Sequence, residues 1–154
     1  MKIVAVDDEK LALETLVRSI KIAEKEAEIH SFREPEEAVE FIKNNECNIA
    51  FLDIRMRLIT GIELAKRLKD INPKINIIFV TGFSDYTLEA FKLYASDYIL
   101  KPATPEQIKL SLSNLRNPIE VKSKNRVRIQ CFGNFEILLM KNHLSLKGQK
   151  RKKL

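Results

Sequence analysis

The sequence predicts an α/β fold built around a parallel sheet of five strands with helices on both faces. Three observations point there. Short apolar runs alternate with stretches of helical periodicity five times between residues 2 and 115. The runs are almost uniformly apolar, as in strands covered on both faces, not alternating as in strands wetted on one. Several of them end on a charged or hydroxyl residue.

The first run, Lys2–Val6, leads into Asp7-Asp8, and Glu9 to about Lys25 follows with Leu11, Leu13, Leu16, Val17, Ile20 and Ile22 at helical spacing. Glu28–Phe32 is a weaker second strand. "REPEEAVEFIKNN" opens a helix with Pro35 in its first turn and acids where the macrodipole favours them. Ile49–Ile54 is the third strand, Gly61–Ile71 the third helix, and Asn76–Val80 the fourth strand. Asp85–Ala95 is expected as the fourth helix, Asp97–Leu100 as the fifth strand and Thr104–Leu115 as the fifth helix. That last helix carries Thr104 as N-cap, Pro105 at its first position and Gln107 at the capping-box position. Five such units joined by right-handed crossovers suit the flavodoxin-like (βα)5 doubly wound sheet, strand order 2-1-3-4-5.

Composition fits a globular chain, with 45% apolar and 31% charged residues among 154. No apolar run approaches the ~18 residues needed to span a bilayer, and the N-terminus reaches Asp7 too soon for a signal peptide. The expected location is therefore cytoplasmic, with no membrane partner. Cys47 and Cys131 read as free thiols, and His30 and His143 have no partners at metal-ligand spacing. Net charge is +6, unevenly placed: residues 119–154 hold ten Lys/Arg against two Asp/Glu, whereas residues 1–118 hold seventeen against nineteen. A basic tail on an acidic body suits contact with phosphates, as well as a simply solvated end. Asn117-Pro118 closes the fifth helix, and "NRVRIQCFGNFEILLMKNHLSL" then reads as two or three antiparallel strands with turns at Gly133-Asn134 and near Lys141-Asn142. The expected division is thus residues 1–118 and 119–154, the second part a linker and a C-terminal β fragment.

In doubly wound sheets ligands bind at the carboxyl ends of the strands. Asp7 and Asp8 follow strand one, Asp53 ends strand three, Thr81 follows strand four and Lys101 follows strand five, so all five converge on one sheet edge. Three carboxylates without Cys or His select Mg²⁺ or Mn²⁺ over zinc. A dication would also relieve the repulsion between Asp7 and Asp8.

"VDDE", "FLDIRM…TGIEL", "FVTGFSDYTLEAF" and "ASDYILKP" together resemble the receiver domain of bacterial two-component response regulators, over residues 1 to about 118. The resemblance implies that Asp53 accepts a phosphoryl group from a sensor histidine kinase. It implies Asp8 and Asp53 as direct metal ligands, Asp7 through water, and the Arg55 backbone carbonyl as a further ligand. Thr81, with Gly82 beside it, and Lys101 would hold phosphoryl oxygens. A Thr81–Tyr98 movement would then repack the face of the fourth helix, fifth strand and fifth helix for dimerisation or partner binding. Arg55 and Phe83 stand where such proteins tune dephosphorylation. One departure is plain: the usual proline four residues after the phosphoacceptor is Arg57, which would loosen the loop and bring a cation near the site.

The tail "RVRIQCFGNFEILLMKNHLSLKGQKRKKL" resembles the start of the OmpR-like winged-helix domain of SARP-type regulators. This implies a longer protein that binds DNA, since the recognition helix would lie beyond Leu154. Two alternatives are a stand-alone signalling module without DNA output and a haloacid-dehalogenase-type phosphatase. The latter wants a second acid two residues after its nucleophile, where Arg55 stands.

Overall fold

The structure is a computed structural model that describes residues 1–83, 85, 90, 92–120, 127–132 and 134–139. It separates into two compact units, Met1–Ile119 and Glu120–Leu154.

The first unit runs β1 (Lys2–Val6), α1 (Lys10–Ala23), β2 (Glu28–Phe32), α2 (Pro35–Asn44), β3 (Ile49–Leu52), α3 (Gly61–Ile71), β4 (Asn76–Thr81), β5 (Asp97–Leu100) and α4 (Pro105–Ser113). The five strands pair in parallel in the order β2-β1-β3-β4-β5, as the alternating pattern predicts. Successive side chains of a strand point to opposite faces, and the core divides accordingly. Val4, Val6, Ala50, Leu52, Ile77 and Phe79 pack with Ala38, Val39, Ile42, Leu64 and Leu68 of α2 and α3. Ile3, Ala5, Ile49, Phe51, Ile78, Val80 and Ile99 pack with Leu13, Leu16 and Ile20 of α1 and Ile108 of α4. Both faces of β1, β3 and β4 are thereby buried, which is why Ile3–Val6, Ile49–Leu52 and Ile77–Val80 are apolar throughout. Edge strand β2 has no fully buried residue, matching its weaker pattern.

Element ends differ from expectation for local reasons. β3 stops at Leu52, and Asp53 just beyond it accepts the N–H of Ile54 on its own Oδ1 (2.9 Å). α1 begins at Lys10 without a side-chain cap, and of the apolar residues at its helical spacing Leu11 and Ile22 are left exposed. α3 and α4 each begin with a full capping box, Thr60–Glu63 and Thr104–Gln107. The expected helix over Asp85–Ala95 falls mostly outside the described residues. At its end Tyr94 has φ 53°, a left-handed conformation that halts a helix, and the Ala95 N–H returns to the Ala90 carbonyl (3.2 Å).

Asn76, the polar interruption in β4, is buried at the sheet edge opposite the strand carboxyl ends. Its Nδ2 donates to the Asn117 carbonyl (2.8 Å), while its Oδ1 accepts from the Asn117 N–H (2.9 Å) and Ser96 Oγ (3.0 Å). The chain leaving α4 is thus fastened beneath the sheet.

In the second unit β6 (Val127–Phe132) and β7 (Asn134–Leu139) pair antiparallel, from Val127 opposite Leu139 to Phe132 opposite Asn134. Gly133 of the expected turn, the expected turn at Lys141-Asn142, His143 and the basic end lie outside the described residues. Among the described residues, no helix is long and apolar enough to cross a membrane.

Candidate functional site

Strand register alone assembles the site. Val6 pairs with Leu52, and the Asp53 N–H donates to the Val6 carbonyl (2.9 Å), so Asp7 and Asp53 emerge side by side. Thr81 pairs with Leu100, and the Lys101 N–H donates to the Thr81 carbonyl (2.9 Å), which places Lys101 on the same edge. The Lys101-Pro102 peptide is cis.

Asp7 and Asp53 are almost fully buried, 1% and 5% exposed. The Lys101 ammonium lies between them, 2.7 Å from Asp7 Oδ2 and 3.4 Å from Asp53 Oδ2. The shorter contact is an ion pair without hydrogen-bond alignment. Burial pushes the Asp53 carboxyl above its usual value; Lys101 opposes that and Asp7 adds to it. For Lys101 burial acts downward, but the two carboxylates outweigh it and hold the ammonium above its ordinary value. Asp7 Oδ1 accepts the Glu9 N–H (2.9 Å), which fixes the turn into α1. Thr81 is wholly buried, and its Oγ1 has no hydrogen-bond partner among the described residues. A buried hydroxyl without a partner costs free energy.

Asp8 sits at the mouth. Its carbonyl accepts two hydrogen bonds from Arg33 (3.2 and 3.1 Å), and its Oδ2 accepts from the Arg57 N–H (3.1 Å) and Nε (3.2 Å). One oxygen from each of Asp7, Asp8 and Asp53 can be chosen so that all lie within 4.8 Å of one another, a carboxylate set suited to a hard divalent cation. An open cleft beside it is lined by Asp8, Glu9, Arg55, Met56, Arg57 and Thr60. The Arg55 guanidinium stacks on the Phe83 ring, 3.7 Å from its centre. Tyr98 is half-buried, 6.5 Å from Phe79 ring to ring, and its hydroxyl donates to the Phe83 carbonyl.

The structure thus brings together Asp7, Asp8, Asp53 and Lys101, places Thr81 and Gly82 at the end of β4, and connects Tyr98 to the segment that follows them. Two features escaped the sequence reading. Arg33 grips the backbone of Asp8 from 25 residues away. Gly61 starts α3 so close to the site that an added Cβ would stand 2.0 Å from the Asp53 carbonyl oxygen. The signal for Gly61 was available: a glycine, a poor helix former, directly follows the N-cap Thr60.

The family model described as "Response regulator receiver domain" matches residues 3–113. Over 126 residues the chain is 34% identical to the sensory transduction protein LytR of Staphylococcus epidermidis, covering 82% of this chain and 50% of that protein. Over 115 residues it is 33% identical to the transcriptional regulatory protein YpdB of Escherichia coli K12, covering 75% and 47%. The chain spans about half the length of these relatives. Among solved structures, the response regulatory domain of mrkE from Klebsiella pneumoniae is 34% identical with a TM-score of 0.67, over 75% of this chain and 94% of that one. The likeness covers the whole sheet and the residues at its carboxyl edge, and the chain belongs to the response regulator receiver family.

Proposed function

We propose that residues 1–118 take a phosphoryl group onto Asp53 from the phosphohistidine of a sensor histidine kinase. The observation that carries this reading is the buried Asp53 carboxylate with Asp7, Asp8 and the Lys101 ammonium around it. The buried Thr81 hydroxyl, which makes no hydrogen bond of regular geometry among the described residues, supports it, since an arriving phosphoryl oxygen would supply a well-placed acceptor. An Asp53 carboxylate oxygen forms the new bond to phosphorus as the bond to the donor imidazole breaks, the electron pair leaving with the imidazole. An ionised carboxylate needs no general base. Lys101 pairs with one phosphoryl oxygen and Thr81 donates to another, with Gly82 alongside. Mg²⁺ or Mn²⁺, held directly by Asp8 and Asp53, through water by Asp7 and by the Arg55 carbonyl, would neutralise the charge gathered there.

The switch would run from Thr81 to Tyr98. Drawing Thr81 toward the phosphate opens space into which the Tyr98 ring turns, breaking its bond to the Phe83 carbonyl. Such a two-state element is what the phosphate must bias. Exposed Leu100 on β5 and Leu110 on α4 support a phosphorylation-dependent homodimer on this face. The second unit would be a linker and the first strands of a winged-helix domain over 119–154. DNA would be reached only through the full-length protein, acting in the cytoplasm on transcription. The relative named as a transcriptional regulator and the antiparallel β6–β7 pair support this output.

The test is incubation with acetyl phosphate and Mg²⁺ followed by intact mass, and sedimentation with beryllofluoride. One phosphoryl group should add to the wild type and none to Asp53→Asn, and the sedimentation coefficient should rise. Labelling that survives Asp53→Asn would reject the acceptor.

A further inference from the structure

The three carboxylates of the site are each matched by a cation of the chain itself. Lys101 serves Asp7 and Asp53 from within. Arg57 serves Asp8 from outside, giving both its backbone N–H and its guanidinium Nε to the same oxygen, Oδ2. A proline at this position has neither donor. The two cations differ in freedom: the Lys101 side chain is 25% exposed and the Arg57 side chain 75%. A guanidinium is weakly hydrated, so it suits the Asp8 carboxylate, whose side chain is only 14% exposed. Asp8 also belongs to the group of carboxylates that can hold a metal ion. A dication reaching Asp8 meets a positive charge already there, and of these two cations Arg57 is the one exposed enough to swing into solvent.

We propose that Arg57 is a tethered counter-ion for Asp8, which a divalent cation must displace, so that this residue lowers the metal affinity of the receiver and sets the ion concentration at which Asp53 becomes reactive. The inference rests on the reading of the site as a dication-assisted phosphoacceptor. With Arg57 in place, Asp8 has its charge matched and its orientation held in the metal-free protein. When the ion arrives, the guanidinium leaves Oδ2 and the backbone N–H can stay.

The experiment is a Mn²⁺ titration of the metal-free chain, with free Mn²⁺ read by electron paramagnetic resonance. Arg57→Gln keeps the backbone donor and removes the charge; Arg57→Pro removes both. Exposed Arg18 is away from the site, and Arg18→Ala controls for net charge. Arg57→Gln should bind Mn²⁺ about two- to fivefold more tightly than wild type, the range expected from losing an ion pair whose cation is solvent-exposed. Arg57→Pro should bind at least as tightly as Arg57→Gln, and Arg18→Ala should match wild type. The gap should narrow as salt rises. Saturable binding of equal strength in wild type and Arg57→Gln would overturn the role of Arg57 alone, as would an equal gain in Arg18→Ala. No saturable binding in any of them would overturn both this inference and the dication reading beneath it.

Discussion

Replacing Gly61 with alanine strikes the site through its backbone. The added Cβ would lie 2.0 Å from the Asp53 carbonyl oxygen, 2.8 Å from its carbonyl carbon and 2.9 Å from Ile54 Cα. These are main-chain atoms, so no side-chain rotation can relieve the clash. Reaching even 3.0 Å, a separation that real Cβ atoms essentially never undercut, requires the first turn of α3 and the Asp53 carbonyl to part by about 1 Å. The Gly61 N–H to Ile54 carbonyl bond, now 2.8 Å, would not survive that shift. Overpacking costs ~1–3 kcal/mol, and the hydrogen bond adds ~1 kcal/mol. Gly61→Ala should therefore destabilise by about 2–4 kcal/mol, a large part of the ~5–15 kcal/mol that holds a domain together. Urea denaturation followed by far-UV circular dichroism should show a lower midpoint with an unchanged slope. In the fraction still folded, phosphorylation by acetyl phosphate should slow by up to ~100-fold, as a 1 Å misplacement of a reacting group can cause. A Gly61→Ala midpoint within ~0.5 kcal/mol of wild type would refute the close-approach argument.

Three further outcomes follow from the same geometry. Lys101→Met leaves Asp7 Oδ2 buried without its cation, and should cost about 3–5 kcal/mol at pH 7 in the presence of a chelator. Because the folded protein holds the Lys101 ammonium above its ordinary 10.5, its contribution is complete below that pH and fades as pH climbs through the folded value; the gap between wild type and variant should shrink in urea melts taken across that range, and a constant gap would contradict it. Arg55→Ala removes the cation stacked on Phe83, and phosphate release from the phosphorylated protein should quicken severalfold; an unchanged time course would show that the stack does not exclude water. Burial raises the Cys47 thiol to about 11, so in a Cys131→Ser background it should resist an aromatic disulfide reagent at pH 8 and react promptly in urea; equally fast labelling of the native protein would contradict its burial.

Much of the first unit could be read in the chain because its strands are central. At Ile3–Val6, Ile49–Leu52 and Ile77–Val80 both faces are buried, so every position is apolar and the strand is visible without knowing its neighbours. The site was legible for the same reason. Once parallel strands are set in order, the residues just past them must meet, and Asp7, Asp53 and Lys101 do. Contacts made across long separations by flexible side chains carry no such mark. Arg33 and Arg57 both converge on Asp8, yet in sequence each is a basic residue in a loop with nothing to mark its partner. Position 57 was conspicuous only as a departure from the family pattern, and its ion pair with Asp8 needed coordinates. The left-handed Tyr94 was equally hidden, since tyrosine has no intrinsic preference for positive φ.

The central claim is that Asp53 is the group that becomes phosphorylated. Borohydride reduces an aspartyl phosphate to homoserine, and peptide sequencing by mass spectrometry then locates the modified position. After acetyl phosphate and Mg²⁺, homoserine should appear at position 53 and nowhere else. Homoserine at position 7 or 8, or a phosphoryl label retained on His30, would contradict the account.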